Sequence, residues 1–286
     1  MIRILLLTLT NLLVVVVFGV LLKILGLQNN NNIISLLVMI IFGFAGSIIS
    51  ILCSKMITLN SINYKLIKYP INDTEKWLIK TITNISKLNN IQVPEVIIYK
   101  ANDINAFATG SNSNNSLIGL SNSIFKYMKK NEIEAVIAHE ICHISNGDMV
   151  TMGLLQGVMN TFILFFSQTI SDLICNKTKR DQKNNFLLNI QSTIFTSLEI
   201  ILGFFSNIIV MSFSRYREFR ADAGAAKIVG KKNMISALNR LKISSKPLIN
   251  KNLIAFYING GKLNLFNNIF NSHPTLNDRI TALINI

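Results

Sequence analysis

Two long runs without a charged residue open the chain, and they constrain its fold more than any other feature. Ile4 to Leu22 lies between Arg3 and Lys23, and Ile33 to Cys53 meets no charge until Lys55. A bilayer core takes roughly 20 apolar residues as helix, so either run can cross it. In the second run Gly43, Ala45, Gly46 and Ser47 offer small residues for close helix packing. No small-x-small cleavage site follows the first run, and only the polar stretch Gln28 to Asn32 separates it from the second. The pair therefore reads as an uncleaved membrane hairpin rather than a signal peptide. Two later segments are weaker candidates. Met149 to Ser171 contains Gln156, Asn160 and Gln168, and Phe186 to Ser214 has Glu199 near its middle. An acid at membrane depth is costly unless it is paired or faces a wet interior, so buried or interfacial helices are the rival reading of these two.

Charge fixes an orientation for the spans. Lys and Arg number 28 against 14 Asp and Glu, and only 15% of residues are charged, where soluble domains carry about 25%. Ten basic residues fall between Lys55 and Lys130, twelve between Arg215 and Arg279, and none in the loop Gln28 to Asn32. The positive-inside rule then places both large polar segments in the cytoplasm and the first loop outside. Lys177, Lys179, Arg180 and Lys183 resist this topology, because it exports the loop that carries them. A basic chain also suggests a nucleic-acid partner, but no known binding motif or aromatic–basic platform is present, and none is expected.

The polar segments carry the rest of the fold. Asp73 to Leu88 has helical spacing, and Val93 to Tyr99, Asn105 to Gly110 and Ser116 to Leu120 read as strands joined by turn material at Ser111 to Asn115. Asn131 to His139 opens a helix that Asn131 can cap, and Arg215 to about Leu241 is helical again. The expectation is a mainly α integral membrane protein of about four transmembrane helices, plus an α+β cytoplasmic region with a small β-meander. Its parts are an N-terminal hairpin (1–54), a cytoplasmic region (55–148), a second hairpin (149–213) and a second cytoplasmic region (214–286).

The chemistry begins at His139-Glu140-Ile141-Cys142-His143, an H-E-x-x-H motif on the predicted helix. Spacing of four residues puts both imidazoles on one helix face, where both can ligate a single Zn²⁺. Glu140 lies about 100° round the helix. It stands beside the metal rather than on it, where it can take a proton from an attacking water. The chain has three histidines in all, so two of them at this spacing is a specific signal.

A catalytic zinc site needs a third protein ligand, here a carboxylate from another element. Glu132 and Glu134 share the helix of His139 and cannot close from a second direction. Asp73, Glu75, Glu95, Asp103, Asp172, Asp181 and Glu199 lie upstream or in the second hairpin. Glu218 emerges on a helix directly after the fourth span, with Asp222 one turn further, so a ligand and a carboxylate supporting a zinc histidine could face the same way. A solvated face rich in Arg and Glu is the alternative at this spacing. The motif helix and Glu218 can meet only if the chain between them crosses the membrane an even number of times.

Together these residues resemble the HtpX-type membrane zinc metalloproteases, within the gluzincin group that includes the CAAX prenyl proteases. His139 to Asp148 matches an extended H-E-x-x-H-x-x-x-G-D, and Ser214-Arg-x-Arg-Glu-Phe-x-Ala-Asp222 matches a second motif. The resemblance covers nearly the whole chain. It implies one Zn²⁺ per chain on His139, His143 and Glu218, with Asp222 supporting them and Glu140 catalytic. It implies that Asn105, Ala106, Phe107 and Ala108 form an edge strand against which substrate backbone lies extended, as in β-augmentation. His273-Pro274 with Arg279 and Ile280 resembles the late H-P-x-x-x-x-R-I element, whose histidine would stabilise the oxyanion. The expected activity is a zinc metalloendopeptidase of the bacterial inner membrane, acting on misfolded or membrane proteins on the cytoplasmic side, in quality control and stress response. Its expected partners are protein substrates and the lipid bilayer. The rivals are a CAAX-type processing protease and a membrane scaffold with a structural or vestigial metal site.

Overall fold

The computed structural model describes residues 32–176, 185–244 and 273–286. The span Ile4 to Leu22, the basic loop around Lys179 and the stretch before His273 lie outside the described residues. In chain order the elements are α1 (Asn32–Ser61), β1 (Tyr64–Leu66), α2 (Asp73–Leu88), β2 (Glu95–Tyr99), β3 (Ala106–Asn112) and β4 (Asn115–Ser121). There follow α3 (Asn122–Tyr127), α4 (Lys130–Ser145), α5 (Asp148–Asn176), α6 (Asn185–Val229), α7 (Lys231–Ser244) and α8 (Leu276–Asn285). The chain divides into two compact units, residues 1–50 with 152–210 and residues 51–151 with 211–286.

The first unit is built from apolar helix. Among the described residues, three helices are long and apolar enough to cross a membrane: Ile41–Ser61, Asp148–Asp172 and Ile190–Val229. Large side chains such as Ile49, Phe162 and Phe205 stand exposed on them, which suits a lipid surface and not water. Helices in lipid gain little from hydrophobic contact with each other, so they cohere by close approach of small residues. A Cβ on Gly43 would come within 2.8 Å of the Thr161 backbone nitrogen, and one on Gly157 within 2.5 Å of the Phe44 ring, so α1 and α5 cross at their glycines. At the far end of the α5–α6 hairpin, Gln191 Nε2 donates to Asp172 Oδ1 (2.7 Å) and Ser171 Oγ to the Gln191 carbonyl (3.1 Å).

The second unit contains a four-stranded sheet of order β1-β2-β4-β3. It is mixed, not the meander expected from sequence: β2 and β4 are parallel, Ile97 opposite Gly119, while β3–β4 is an antiparallel hairpin with Phe107 opposite Gly119. The reason lies in side-chain character. Ser116 to Ser121 is buried along its whole length and takes the middle of the sheet, while the Thr- and Asn-bearing β3 is left at the edge. Gly119 leaves room for the Phe107 ring, which a Cβ there would meet at 2.4 Å.

Helices α2 and α4 bury Leu78, Ile82, Ile85, Ile133, Ile137 and Ile141 in the core with Val96, Ile118 and Leu120 of the sheet. α2 starts at the predicted place because Asn72 Oδ1 accepts the Glu75 N–H (2.7 Å) and Glu75 Oε2 accepts the Ile71 N–H (2.9 Å). In α4 Lys129, not Asn131, is the cap residue. Glu132 Oε2 reaches back to the Lys129 N–H (2.9 Å), so the cap lies two residues earlier and Asn131 Nδ2 instead donates to Asn233 Oδ1 of α7 (3.0 Å). Helix α6 has 45 residues. At 1.5 Å per residue that is about 67 Å, roughly twice a bilayer core, so one unbroken helix runs from the apolar segment through Glu218 and Asp222.

Candidate metal centre

Helix α4 places His139 and His143 one turn apart, with ring centroids 4.6 Å apart and planes at 89°. Their Nε2 atoms face each other at 3.0 Å. Glu218 of α6 comes in from the second direction: Oε2 is 3.5 Å from His139 Nε2 and Oε1 is 3.4 Å from His143 Nε2. The approach depends on Gly224, where a Cβ would stand 2.8 Å from Cys142 Sγ, so α6 can close onto α4. Each of the three side chains offers one donor atom, and these atoms lie within 4.8 Å of one another.

The outward ring nitrogens explain why the inward ones converge. His139 Nδ1 lies 2.9 Å from Asp222 Oδ1, and His143 Nδ1 lies 2.6 Å from Asp148 Oδ2. A carboxylate on Nδ1 holds the proton there, which leaves the Nε2 lone pair free for a metal. Two imidazoles and a carboxylate, each imidazole backed by a carboxylate, match the donor chemistry of a catalytic zinc site. The electrostatics agree. Burial alone would push both histidines down, but the hydrogen bonds that Asp222 and Glu218 accept raise His139, and those that Asp148 and Glu218 accept raise His143 to about 9.

The remaining expected residues also gather here. Glu140 is half-buried beside His139, and its charge helps raise His143. His273 remains 65% exposed, and its Nδ1 lies 3.1 Å from Glu218 Oε2. Asn105 precedes β3, its N–H donating to Ser121 Oγ (3.0 Å), while Ala106, Phe107 and Ala108 lie on β3 at the sheet edge that packs near α4. Arg279 makes two short bonds to Asp222, Nε to Oδ2 at 2.7 Å and Nη2 to Oδ1 at 2.6 Å, and its Nη1 stands 3.3 Å from Glu218. Cys142 is packed and inert: burial first, then the charge of Asp148, pushes its thiol up to about 11. Of the other acids weighed as ligands, Glu75 is engaged by Lys65 and Glu95 by Lys55; Asp172 accepts from Gln168 and Gln191, and Glu199 belongs to the other unit.

Asp148 and Arg220 are the site residues that sequence reasoning passed over. Asp148 appeared only as the last letter of a motif. Gly147, at φ +65°, ends α4 and turns the chain so that Asp148, the first residue of α5, folds back onto His143. A carboxylate placed directly after a helix-ending glycine, five residues beyond a ligand, was the available signal.

This geometry has known counterparts. The model of peptidase family M48 matches residues 72–286, three quarters of the chain and all of the site. The chain belongs to peptidase family M48. Within that family it is 50% identical, over 289 residues, to the Protease HtpX of Wigglesworthia glossinidia brevipalpis, covering 99% of this chain and 98% of that one. It is 50% identical over 292 residues to the Protease HtpX of Buchnera aphidicola subsp. Schizaphis graminum (100% and 99% covered), and 46% identical over 288 residues to that of Cronobacter sakazakii (99% and 98%). The crystal structure of S. mikatae Ste24p shares the fold, with a TM-score of 0.63 at 21% identity over 87% of this chain; the match spans 58% of that protein. This M48 chain is therefore a membrane-bound metalloprotease, mostly helical, with a small mixed sheet beside its candidate metal centre.

Proposed function

We propose that the chain is a zinc endopeptidase of the bacterial inner membrane that cuts misfolded or membrane proteins at a cytoplasmic active site. The observation that carries this reading is the convergence of His139 Nε2, His143 Nε2 and Glu218, with both Nδ1 atoms already engaged by buried aspartates. In this reading His139, His143 and Glu218 hold the metal, Asp222 and Asp148 orient the imidazoles, and residues 55–148 and 214–286 build the catalytic region between membrane hairpins 1–54 and 149–213. Zinc, when bound, supplies Lewis acidity that makes water a nucleophile near neutral pH and polarises the scissile carbonyl.

The protein's own groups do the rest. Substrate backbone pairs with the free edge of β3 along Asn105 to Ala108, which presents the scissile bond in extended form and with little sequence preference. Glu140 accepts the proton of the attacking water and passes it to the leaving amine. His273, exposed beside Glu218, donates a hydrogen bond to the oxyanion of the tetrahedral intermediate. A carboxylate next to the ligand pair favours catalysis over a merely structural metal site, which has no need of one. The cytoplasmic side is supported by charge: 22 of the 28 basic residues fall between Lys55 and Lys130 or between Arg215 and Arg279.

Purified protein in detergent, given zinc and an unfolded model substrate, tests the mechanism. Glu140→Gln should retain metal and lose at least about 100-fold in rate. Equal cleavage by both proteins would refute the role of Glu140, and cleavage by neither with zinc bound would favour a structural metal. Labelling a single cysteine placed within residues 176–185 from outside the cell tests whether segments 149–171 and 186–213 cross the membrane; labelling only from the cytoplasm would revise the topology and leave the metal site intact.

A further inference from the structure

The two histidines of the candidate centre are each held by a three-part chain of the same chemistry. His139 rests on Asp222, and Asp222 on Arg279. His143 rests on Asp148, and the other oxygen of Asp148 takes the Nη2 of Arg220. The two arms differ in what surrounds them. The Arg279 side chain is 9% exposed and also touches Glu218, so it is part of the buried centre. The Arg220 side chain is 41% exposed, yet it reaches a carboxylate with no exposed surface at all. Asp148 is gripped from its backbone as well, through Arg217 Nη1 donating to its carbonyl oxygen at 3.4 Å. The helix that delivers Glu218 thus also delivers, two residues later, the guanidinium that backs the opposite histidine.

We infer that Arg220 is a positioning residue for the metal, acting through Asp148 to fix the orientation of His143. This rests on reading His139, His143 and Glu218 as the ligand set. A buried carboxylate bonded on both oxygens has one orientation. Bonded only to the imidazole it can rotate, and the Nε2 lone pair turns with it away from the metal. Outer partners of ligating histidines act in this way on metal affinity. Arg220 is exposed and offers no donor atom to the cluster of His139, His143 and Glu218, and it meets the centre at the Asp148 carboxylate, so its effect passes through that group.

The test is zinc affinity of the full-length protein in detergent, measured by competition with a chromogenic chelator. Arg220→Ala should weaken binding about tenfold, the lower end of the range for outer partners. Arg220→Lys, which keeps the charge and loses the fork, should fall between it and the wild type. In an Asp148→Asn background the same Arg220→Ala change should cost nothing further, because the path it uses is already gone. Arg240→Ala supplies the comparison. It removes an equally surface-lying arginine from another buried acid, Glu132, in the same unit, and should lower the melting temperature without moving zinc affinity. An unshifted Arg220→Ala, or losses that add in the double variant, would overturn the role of Arg220 alone. A wild-type protein that binds no zinc would overturn the ligand set together with it.

Discussion

Buried acids are treated differently in the two units of the molecule. Among the described residues of the unit formed by 51–151 and 211–286, each buried carboxylate has partners. Glu75 takes Lys65 and the Ile71 N–H; Glu132 takes Lys129 N–H, Ser236 and Arg240; Asp148, Glu218 and Asp222 take the histidines and arginines of the centre. In the unit formed by 1–50 and 152–210, Glu199 is 4% exposed and its Oε1 has no hydrogen-bond partner, as is true of the hydroxyls of Ser47 and Ser167. Sequence supplies the reason. Positions 32–50, 152–176 and 185–210 hold no Lys, Arg or His, so a described counter-charge for Glu199 does not exist there. The unit of 51–151 and 211–286 gathers its buried charge into the candidate metal centre, whereas the apolar unit coheres through glycine contacts and carries Glu199 as a cost.

That contrast can be broken at its strongest point first. Arg279→Leu leaves Asp222 buried with half its partners, and should cost about 3–5 kcal/mol of stability. A melting temperature in detergent close to wild type would mean the paired network is not what holds the unit. Next in size is Gly157→Leu, which drives a side chain into the Phe44 ring and should destabilise by about 1–3 kcal/mol. If thermal unfolding does not change, the α1–α5 crossing is not the source of cohesion proposed for the apolar unit.

Glu132→Ala should cost about 1–2 kcal/mol by stripping the start of α4 and its tie to α7. Burial alone would raise Glu132, but its bonds to Lys129 N–H, Ser236 and Arg240 hold it below the usual carboxylate range. A depressed carboxyl stabilises the fold above its unfolded value of about 4.3 and loses that contribution as pH falls through its lower folded value. The gap between wild type and variant should therefore be constant from pH 8 to pH 5 and close in acid. A gap that widens in acid would contradict the pairing. The smallest effect is expected at Glu199. Replacing an orphan acid by Leu of similar size should leave the melting temperature unchanged or raise stability by about 1 kcal/mol. A clear loss of stability or activity in Glu199→Leu would show that this acid has a partner or a task, and would dissolve the contrast.

Much of the molecule was legible from local pattern. Hydropathy runs located the helices α1, α5 and the apolar part of α6, and helical spacing located α2 to the residue. The H-E-x-x-H spacing is read on one helix, where His139, Glu140 and His143 do lie, because a helix turn is a short-range rule. Long-range choices were less legible. A strand's own sequence shows that it is a strand but only partly who its neighbours are, so the parallel β2–β4 pairing was missed and a meander expected. The cap of α4 lies two residues before Asn131, because Glu132 supplies the capping bond from inside the helix where a small polar side chain usually does.

By itself, then, the order of residues determined which segments suit lipid, which helix carries the metal motif and which side of the membrane its charges favour. These follow from composition and from spacings of a few residues. Only the tertiary structure decided that Glu218, of all the acids, closes on the two histidines, and that Asp148 and Arg220 back the second of them as Asp222 and Arg279 back the first. Apart from the pair His143 and Asp148, those contacts join positions 57 to 83 residues apart, a separation that no short-range rule of helix or turn spans. The choice is made where α6 crosses α4 at Gly224, by how closely two helices can approach.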